Sequence, residues 1–364
     1  MKHKRRIGIL TGGGDCPGLN AVIRAVSKKA MIEHDMEVIG FEDSYDGLLN
    51  HHYRTLNYDD VSGILTLGGT ILGTSKIANP YRSVIKRGKN PQFKDRHREA
   101  IANFKKLKLE CLVCIGGDGT LTLASMLNRD GMPVVGVPKT IDNDIRGTDV
   151  TFGFDSAVAV ATDAIDRVHS TAQSHHRVMI VEVMGHKAGW IALHSGIAGG
   201  GDIILIPEIP YNVDIIAEKI RQRHQKGKRF SIIVIAEGAT PIGGKMVVKR
   251  IVKESADPQR LGGVGFVLGE KLEKITSYEI RAVVLGHLQR GGSPTPYDRV
   301  LSTRFGTKAV DLLIEKRYGY MAGIKGDKMV AVPLKTVAGG IKKVLKSHPL
   351  ITAARAVGTC FGDI

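Results

Sequence analysis

Apolar residues recur along this chain in short, dense runs, separated by longer stretches of helical spacing. The runs Ile7–Thr11, Val38–Phe41, Cys111–Ile115, Met132–Val137, Val178–Val183, Ile203–Ile206, Ile232–Ile235 and Arg281–Leu285 read as strands, most of them buried on both faces. Between them Ala21–Ile32, Thr120–Leu127, Ser156–Ala172, Trp190–Ala198 and Leu301–Lys316 carry helical patterns. Such alternation predicts an α/β fold with parallel sheets and right-handed crossovers. Tyr45–Leu48 reads as a turn, Lys86–Arg98 as a basic surface loop or helix start, and the tail from Val330 as short strand and basic helix. Thr240–Ser277 is glycine-punctuated and carries no pattern that assigns its elements.

The loops at the strand ends turn this scaffold into a site. Ile7–Thr11 runs into Gly12-Gly13-Gly14, and Cys111–Ile115 into Gly116-Gly117-Asp118-Gly119 with Thr120 opening a helix; Gly68–Lys76 is a further glycine-rich segment carrying a cation. Glycines let backbone N–H groups approach an anion with no Cβ in the way, and a helix N-terminus adds partial positive charge. The first turn is followed by no Gly-Lys-Ser/Thr, so it is not a P-loop, and it lacks the dinucleotide spacing. Met132–Val137 ends in Pro138-Lys139-Thr140-Ile141-Asp142-Asn143-Asp144, a carboxylate pair in the loop at its carbonyl end. In a parallel sheet these loops open on one edge, so phosphate seat and acid meet there.

Further along lie Met184-Gly185-His186, Glu237-Gly238, two isolated arginines at strand entrances, Arg177 and Arg281, and the donor-rich loop Gly286–Arg299. Arg177, Arg281, His287 and Arg290 suit a second phosphate group, since guanidinium matches phosphate geometry better than ammonium does. Phosphoryl transfer asks for little beyond positioning, charge neutralisation and a base. Taken singly each residue has a blander reading, a turn cap for Asp118, Asp142 or Asp144 and a structural role for Arg177 or His287. Their joint occurrence carries the weight.

Bulk properties narrow the picture. A chain of 364 residues accommodates two α/β domains, and no apolar run reaches the length of a membrane span. A basic segment leads directly into the first strand without a signal core, so a cytoplasmic protein is expected. The net charge of +16 is spread widely and aromatics are only 5%, which favours phosphorylated small molecules over nucleic acid. Cys111 and Cys114 form a CxxC spacing inside an apolar strand with no second pair, and read as buried thiols.

The segments TGGGDCPGLNAVIR, GGTILGTSK, IGGDGT, PKTIDNDIRGTD, SHHRVMIVEVMGH, IAEG and RAVVLGHLQRGGSPTPYDR, in this order from Ile7 to about Gly306, make the chain resemble the 6-phosphofructokinases. The resemblance implies two doubly wound, parallel-sheet (Rossmann-like) domains with the active site in the cleft between them. A larger donor-binding domain would comprise 1–153 plus 289–339, and a smaller sugar-phosphate domain 154–288 plus 340–364. It implies transfer of a phosphoryl group to O1 of fructose 6-phosphate, from ATP or pyrophosphate with Mg2+, in a homo-oligomer, dimer or tetramer, with shared sites. Matched residue by residue, Asp142 is the base, Asp144 orients it, Asp118 is the metal acid, and Thr140 with Lys139 completes the catalytic loop. Gly14, Tyr45, Lys76, Gly117, Gly119 and Thr120 fall at donor positions. Thr140, Met184, Gly185 and Glu237 fall at the sugar; His287 and Arg290 reach its 6-phosphate from the same chain, Arg177 and Arg281 from a neighbour.

Two donors remain in play. Gly119 leaves room for the rest of ATP, where pyrophosphate enzymes usually have aspartate, whereas Lys139 is usual in those enzymes; the combination resembles a mixed group that includes ATP users. His186 stands where many members have arginine, so Lys139 is the expected compensating cation. At the bacterial effector positions Arg24 matches, but Lys28 and His169 replace arginines, which argues against regulation there. A different kinase with a GGDGT turn would lack the PKTIDND and GHLQRGGSP loops, and a silent sugar-phosphate-binding subunit would lack Asp118 or Asp142.

Overall fold

The computed structural model describes residues 4–86, 88, 90–254, 258–338 and 340–364, so parts of the stretches Lys86–Arg98, Thr240–Ser277 and the tail lie outside the described residues. In chain order, β1 (Arg6–Gly12), α1 (Leu19–His34), β2 (Glu37–Phe41), α2 (Tyr45–Asn50) and β3 (Tyr53–Leu56) come first. The hairpin β4 (Ser83–Lys86) and β5 (Gln92–Lys94) precedes α3 (His97–Lys106), β6 (Cys111–Gly116), α4 (Asp118–Arg129), β7 (Val134–Pro138) and the long α5 (Phe154–His175). Next come β8 (Val178–Val183), α6 (Trp190–Ala198), β9 (Ile203–Leu205), α7 (Val213–Gln225) and β10 (Ser231–Ala236). The chain continues through β11 (Val248–Ile251), β12 (Gln259–Leu261), α8 (Val264–Thr276), β13 (Ile280–Val284) and α9 (Pro296–Ile314). It closes with β14 (Tyr320–Lys325), β15 (Lys328–Pro333), α10 (Leu334–Val337) and α11 (Pro349–Ala356).

Seven strands form a larger sheet in the order β15-β14-β7-β6-β1-β2-β3, and four form a smaller one, β13-β8-β10-β9. The smaller sheet is parallel throughout. The larger is mixed: its inner pairs are parallel, while β3 and β15 run antiparallel at its edges. β15 follows β14 through a tight turn, a connection that only an antiparallel pair allows, whereas β3 returns alongside β2 after α2. β3 is half-exposed and lacks the dense apolar run that marks a buried strand.

Alternating residues of the inner strands feed different cores, as the period of two requires. Ile7, Ile9, Val113 and Ile115 face the side covered by α1 and α9, whereas Leu10, Leu112 and Cys114 face α2, α3 and α4. The first of these cores continues through Ala157, Ala161 and Ile165 of α5 to Val181, Val183 and Val234 of the smaller sheet, so one apolar body joins the two sheets. Cys111 and Cys114 lie on opposite faces of β6, free and buried, which accounts for the CxxC spacing as two core thiols.

Several elements differ from the sequence expectation for physical reasons. Tyr45–Asn50 is a helix rather than a turn, ended by His51 in the left-handed region. α5 runs on to His175 because its polar last turn is solvated and closes on His176, again left-handed. The unassigned stretch holds β11, β12 and α8; β11 is exposed at every position, so no alternation marks it.

α5 and α9 are pinned at their starts. Thr295 caps α9 by accepting from Asp298 N at 3.2 Å, and Asp298 in turn accepts from Ser156 N and Oγ at 2.8 and 2.6 Å. This fixes the loop after β13 against the beginning of the helix that joins the sheets.

Candidate active site

β1, β6 and β7 end on the same edge of the larger sheet, on either side of the point where strand order reverses. The segment carrying Lys76 is laid along the first turn: Gly13 N donates to Ser75 O at 3.0 Å and Thr74 Oγ1 donates to Gly13 O at 2.8 Å. At Gly14 a Cβ would come within 2.8 Å of Arg290 Nη1 and 3.2 Å of Lys76 Cε, so a side chain there would push these two cations aside. Partial burial, with the charges of Arg290 and Arg260, lowers the Lys76 ammonium pKa. At the second turn Gly117 precedes Asp118, the first residue of α4, and Gly119 is exposed; a Cβ on it would meet nothing within 4 Å. Space above this helix start is therefore open. Thr120 is buried, and Tyr45 lies buried beneath the turn with its hydroxyl donating to Thr120 O at 2.9 Å.

The acidic loop is held from below. Lys139 is 3% exposed; its N donates to Gly116 O at 2.9 Å and its Nζ to Gly14 O, so it ties the β7 loop to both glycine turns. Burial pulls its ammonium to about 8. Thr140 Oγ1 accepts from Asp142 N at 3.1 Å, and Thr151 Oγ1 donates to Thr140 O at 2.7 Å. Asn143, between the acids, adopts the left-handed region at φ 50 and its Oδ1 accepts from Thr151 N at 3.2 Å. Asp142 keeps a buried Oδ1 with no hydrogen-bond partner.

Burial raises the pKa of Asp142, while Arg290, His186, Lys139 and Lys76 pull it down. Asp144 is pushed up to about 7 by burial and by the neighbouring Asp142. Burial also raises Asp118, against Lys187 and a hydrogen bond with Thr122.

Loops of the smaller sheet face this edge. Met184 and Gly185 follow β8, Glu237 follows β10, and Glu237 N donates to Val183 O at 2.9 Å. Glu237 is pushed up to about 7 by burial, then by Asp142 and Glu182. Buried Gln289 accepts from Met184 N at 3.3 Å, which locks the turn after β8 to the loop bearing exposed His287 and partly buried Arg290. Arg290 Nη1 donates to Asp15 O at 3.0 Å. Arg290 thus stands between the first glycine turn and the acids.

Arg177 and Arg281 are not brought to this cluster. They flank the entrance of the smaller sheet, where Glu279 Oε1 pairs with Arg177 Nη2 at 2.8 Å and with Arg281 Nη2 at 2.6 Å. β8 is six residues long, so about 20 Å separates them from Met184. A groove of about 560 Å³ along α4, lined by Met126, Arg129 and Tyr320 among others, holds none of the predicted site residues.

Sequence reasoning passed over Lys187, Gln289, Asn143 and Lys342. Gln289 and Asn143 stood inside quoted motifs, whereas Lys342, whose Nζ donates to Asn143 Oδ1 at 3.0 Å, comes from a tail without a motif.

A carboxylate left bare in a cleft between two glycine turns and a cationic loop, on linked α/β sheets, marks a protein built around phosphorylated ligands. A family model described as Phosphofructokinase matches residues 6–313, most of the chain, which therefore belongs to the phosphofructokinase family. The chain is 51% identical over 366 residues to the protein named ATP-dependent 6-phosphofructokinase 2 of Clostridium perfringens, covering 100% of both. It is 52% identical to the ATP-dependent 6-phosphofructokinase of Spirochaeta thermophila, covering 99% of this chain and 98% of that one. Among solved structures, Pichia pastoris phosphofructokinase in the T-state superposes with a TM-score of 0.79 at 29% identity, over 99% of this chain and 37% of that one. A pyrophosphate-dependent phosphofructokinase from Marinobacter aquaeolei shares the fold, with a TM-score of 0.78 at 22% identity over 94% of this chain and 86% of that one.

Proposed function

We propose that this protein is an ATP-dependent 6-phosphofructokinase, making fructose 1,6-bisphosphate from fructose 6-phosphate, and that it works in the cytoplasm. The observation that carries the reading is Asp142, whose buried Oδ1 has no partner and whose surroundings push its pKa up. That is the condition of a base waiting for a hydroxyl proton. As the sugar O1 bonds to the γ-phosphorus and the bond to the ADP oxygen breaks, the O1 proton passes to Asp142. Asp144 and Thr140 fix the loop that carries it.

We assign 1–153 plus 289–339 to the donor side and 154–288 plus 340–364 to the sugar side. Gly14, Lys76, Gly117, Gly119 and Thr120 cradle the donor, with Tyr45 supporting the turn from beneath. Met184, Gly185, Glu237, His287 and Arg290 take the sugar phosphate. Arg177 and Arg281, at the far edge of the smaller sheet, serve the site of a second copy in a homo-oligomer. Relatives at about half identity named ATP-dependent, and the open space over Gly119, support ATP over pyrophosphate.

Magnesium fits the residues present. Asp118 is a partly buried carboxylate at the helix start, and a hard ion held by one carboxylate and the donor's phosphates needs no protein-only cage. Among the described residues no group of three or more His, Cys, Asp or Glu forms one. When bound, the ion supplies charge neutralisation at the phosphates.

The test gives purified protein fructose 6-phosphate and magnesium with ATP or with pyrophosphate. Bisphosphate is expected with ATP; formation with pyrophosphate alone establishes the other donor, and none with either overturns the assignment. Asp142→Asn should lower kcat by about a hundred- to ten-thousandfold with KM little changed.

A further inference from the structure

Deepening that reading, and resting on it, we propose that tail segment 341–344 is a strap that positions the catalytic loop, with Lys342 as its positioning residue. On one side the strap lies antiparallel to the acidic loop: Ile341 bridges Ile145, and Lys342 N donates to Asp144 O at 2.7 Å. Lys342 Nζ spends its donors on Asn143 Oδ1, Thr148 O and Asp149 O, at 3.0, 3.1 and 2.8 Å. The Asn143 amide oxygen is thereby held by Lys342 and Thr151, which keeps a non-glycine residue left-handed between Asp142 and Asp144. Burial pulls the Lys342 ammonium down to about 8, so these acceptors replace much of its water.

On the other side the strap grips the smaller half. Lys342 O accepts from Trp190 Nε1 at 2.9 Å, Val344 N donates to Glu208 Oε1 at 2.9 Å, and both Glu208 oxygens accept from Gly189 N at 3.1 Å. Gly189 and Trp190 begin α6, directly after the loop bearing Met184, Gly185 and His186. The segment therefore sets the base against the loop that is to hold the sugar. Displacement by one ångström at a reacting atom costs about two orders of magnitude in rate, so a residue that touches neither ligand can govern turnover.

The test compares wild type, Lys342→Met and Lys342→Arg. In Lys342→Met kcat should fall about a hundredfold while KM for fructose 6-phosphate stays within about twofold, and Lys342→Arg should recover most of the loss. Trp190 is the only tryptophan, so its emission should shift in Lys342→Met as the strap leaves the indole. A Lys342→Met protein that melts earlier but keeps wild-type kcat and emission overturns the proposal. Should Lys342→Met fail to fold, Trp190→Phe removes one anchor, with kcat expected about tenfold lower at unchanged KM; wild-type kcat there overturns the proposal. Wild type that makes no bisphosphate sinks the kinase reading itself, whereas an active wild type with unaffected variants sinks the strap alone.

Discussion

The carbonyl edge of the larger sheet and the entrance edge of the smaller one treat their cations in opposite ways. Lys139 at the first is 3% exposed and bonded to a backbone carbonyl of the neighbouring turn, part of a network closed within one chain. Arg177 and Arg281 at the second share the exposed carboxylate of Glu279, about 20 Å from the loops at the other end of their own sheet. A surface pair of that kind contributes little in water, so an incoming phosphate can take it over at little cost. The first edge is closed within the chain, and the second leaves its arginines on an exposed carboxylate.

Lys139→Ala breaks the comparison where the effect is largest. If the buried ammonium offsets the weaker charge of His186 at the transferring phosphate, kcat should fall about a hundred- to a thousandfold, with KM for fructose 6-phosphate nearly constant. Steady-state kinetics at saturating ATP decide it, and an unchanged kcat removes Lys139 from the chemistry.

Arg281→Ser addresses the other edge. Losing a charge-assisted contact of about 1.5–3 kcal/mol should raise KM for fructose 6-phosphate about ten- to a hundredfold, with kcat kept. The sharper form mixes subunits. Arg281→Ser and Asp142→Asn proteins, each impaired alone, should regain activity when unfolded and refolded together, because hybrid oligomers contain some intact sites. A mixture no better than the sum of its parts would mean that each chain serves only itself.

The same contrast explains what was legible in the sequence. Glycine turns, the PKTIDND loop and the strand ends are local, so their residue order already stated which groups would share an edge. The position of Arg290 was only half legible: its motif placed it near a phosphate, but its contact with Asp15 spans 275 positions of sequence. Lys342 was illegible for the same reason, a lysine in a basic tail with two backbone carbonyls and the distant Asn143 amide oxygen as its acceptors. β3 escaped because a half-exposed edge strand carries no dense apolar run, whereas part of β15 was legible as the short strand from Val330. Strand entrances were read as the place of Arg177 and Arg281, and the apolar run that bounds β8 already set its length apart from Met184.

The smallest expected effect concerns the cost of closing the first edge. Asp144 has its pKa raised from 3.8 to about 7 by burial and by Asp142. A carboxyl with a raised folded-state pKa binds an extra proton in the folded protein between those two values. Its contribution is therefore fully present below pH about 4 and is lost as pH rises through about 7. Asp144→Asn removes that dependence. The variant and wild type should be equally stable near pH 4, and the variant ahead by about 1–3 kcal/mol at pH 8, despite lower activity. Since Asp142 and Asp144 titrate as a pair, the transition belongs to both and should be broad. Urea unfolding across this range, without donor or magnesium, measures the difference. A stability difference that does not vary with pH would mean that the acid pair is solvated, and that the closed edge is no more sequestered than the open one.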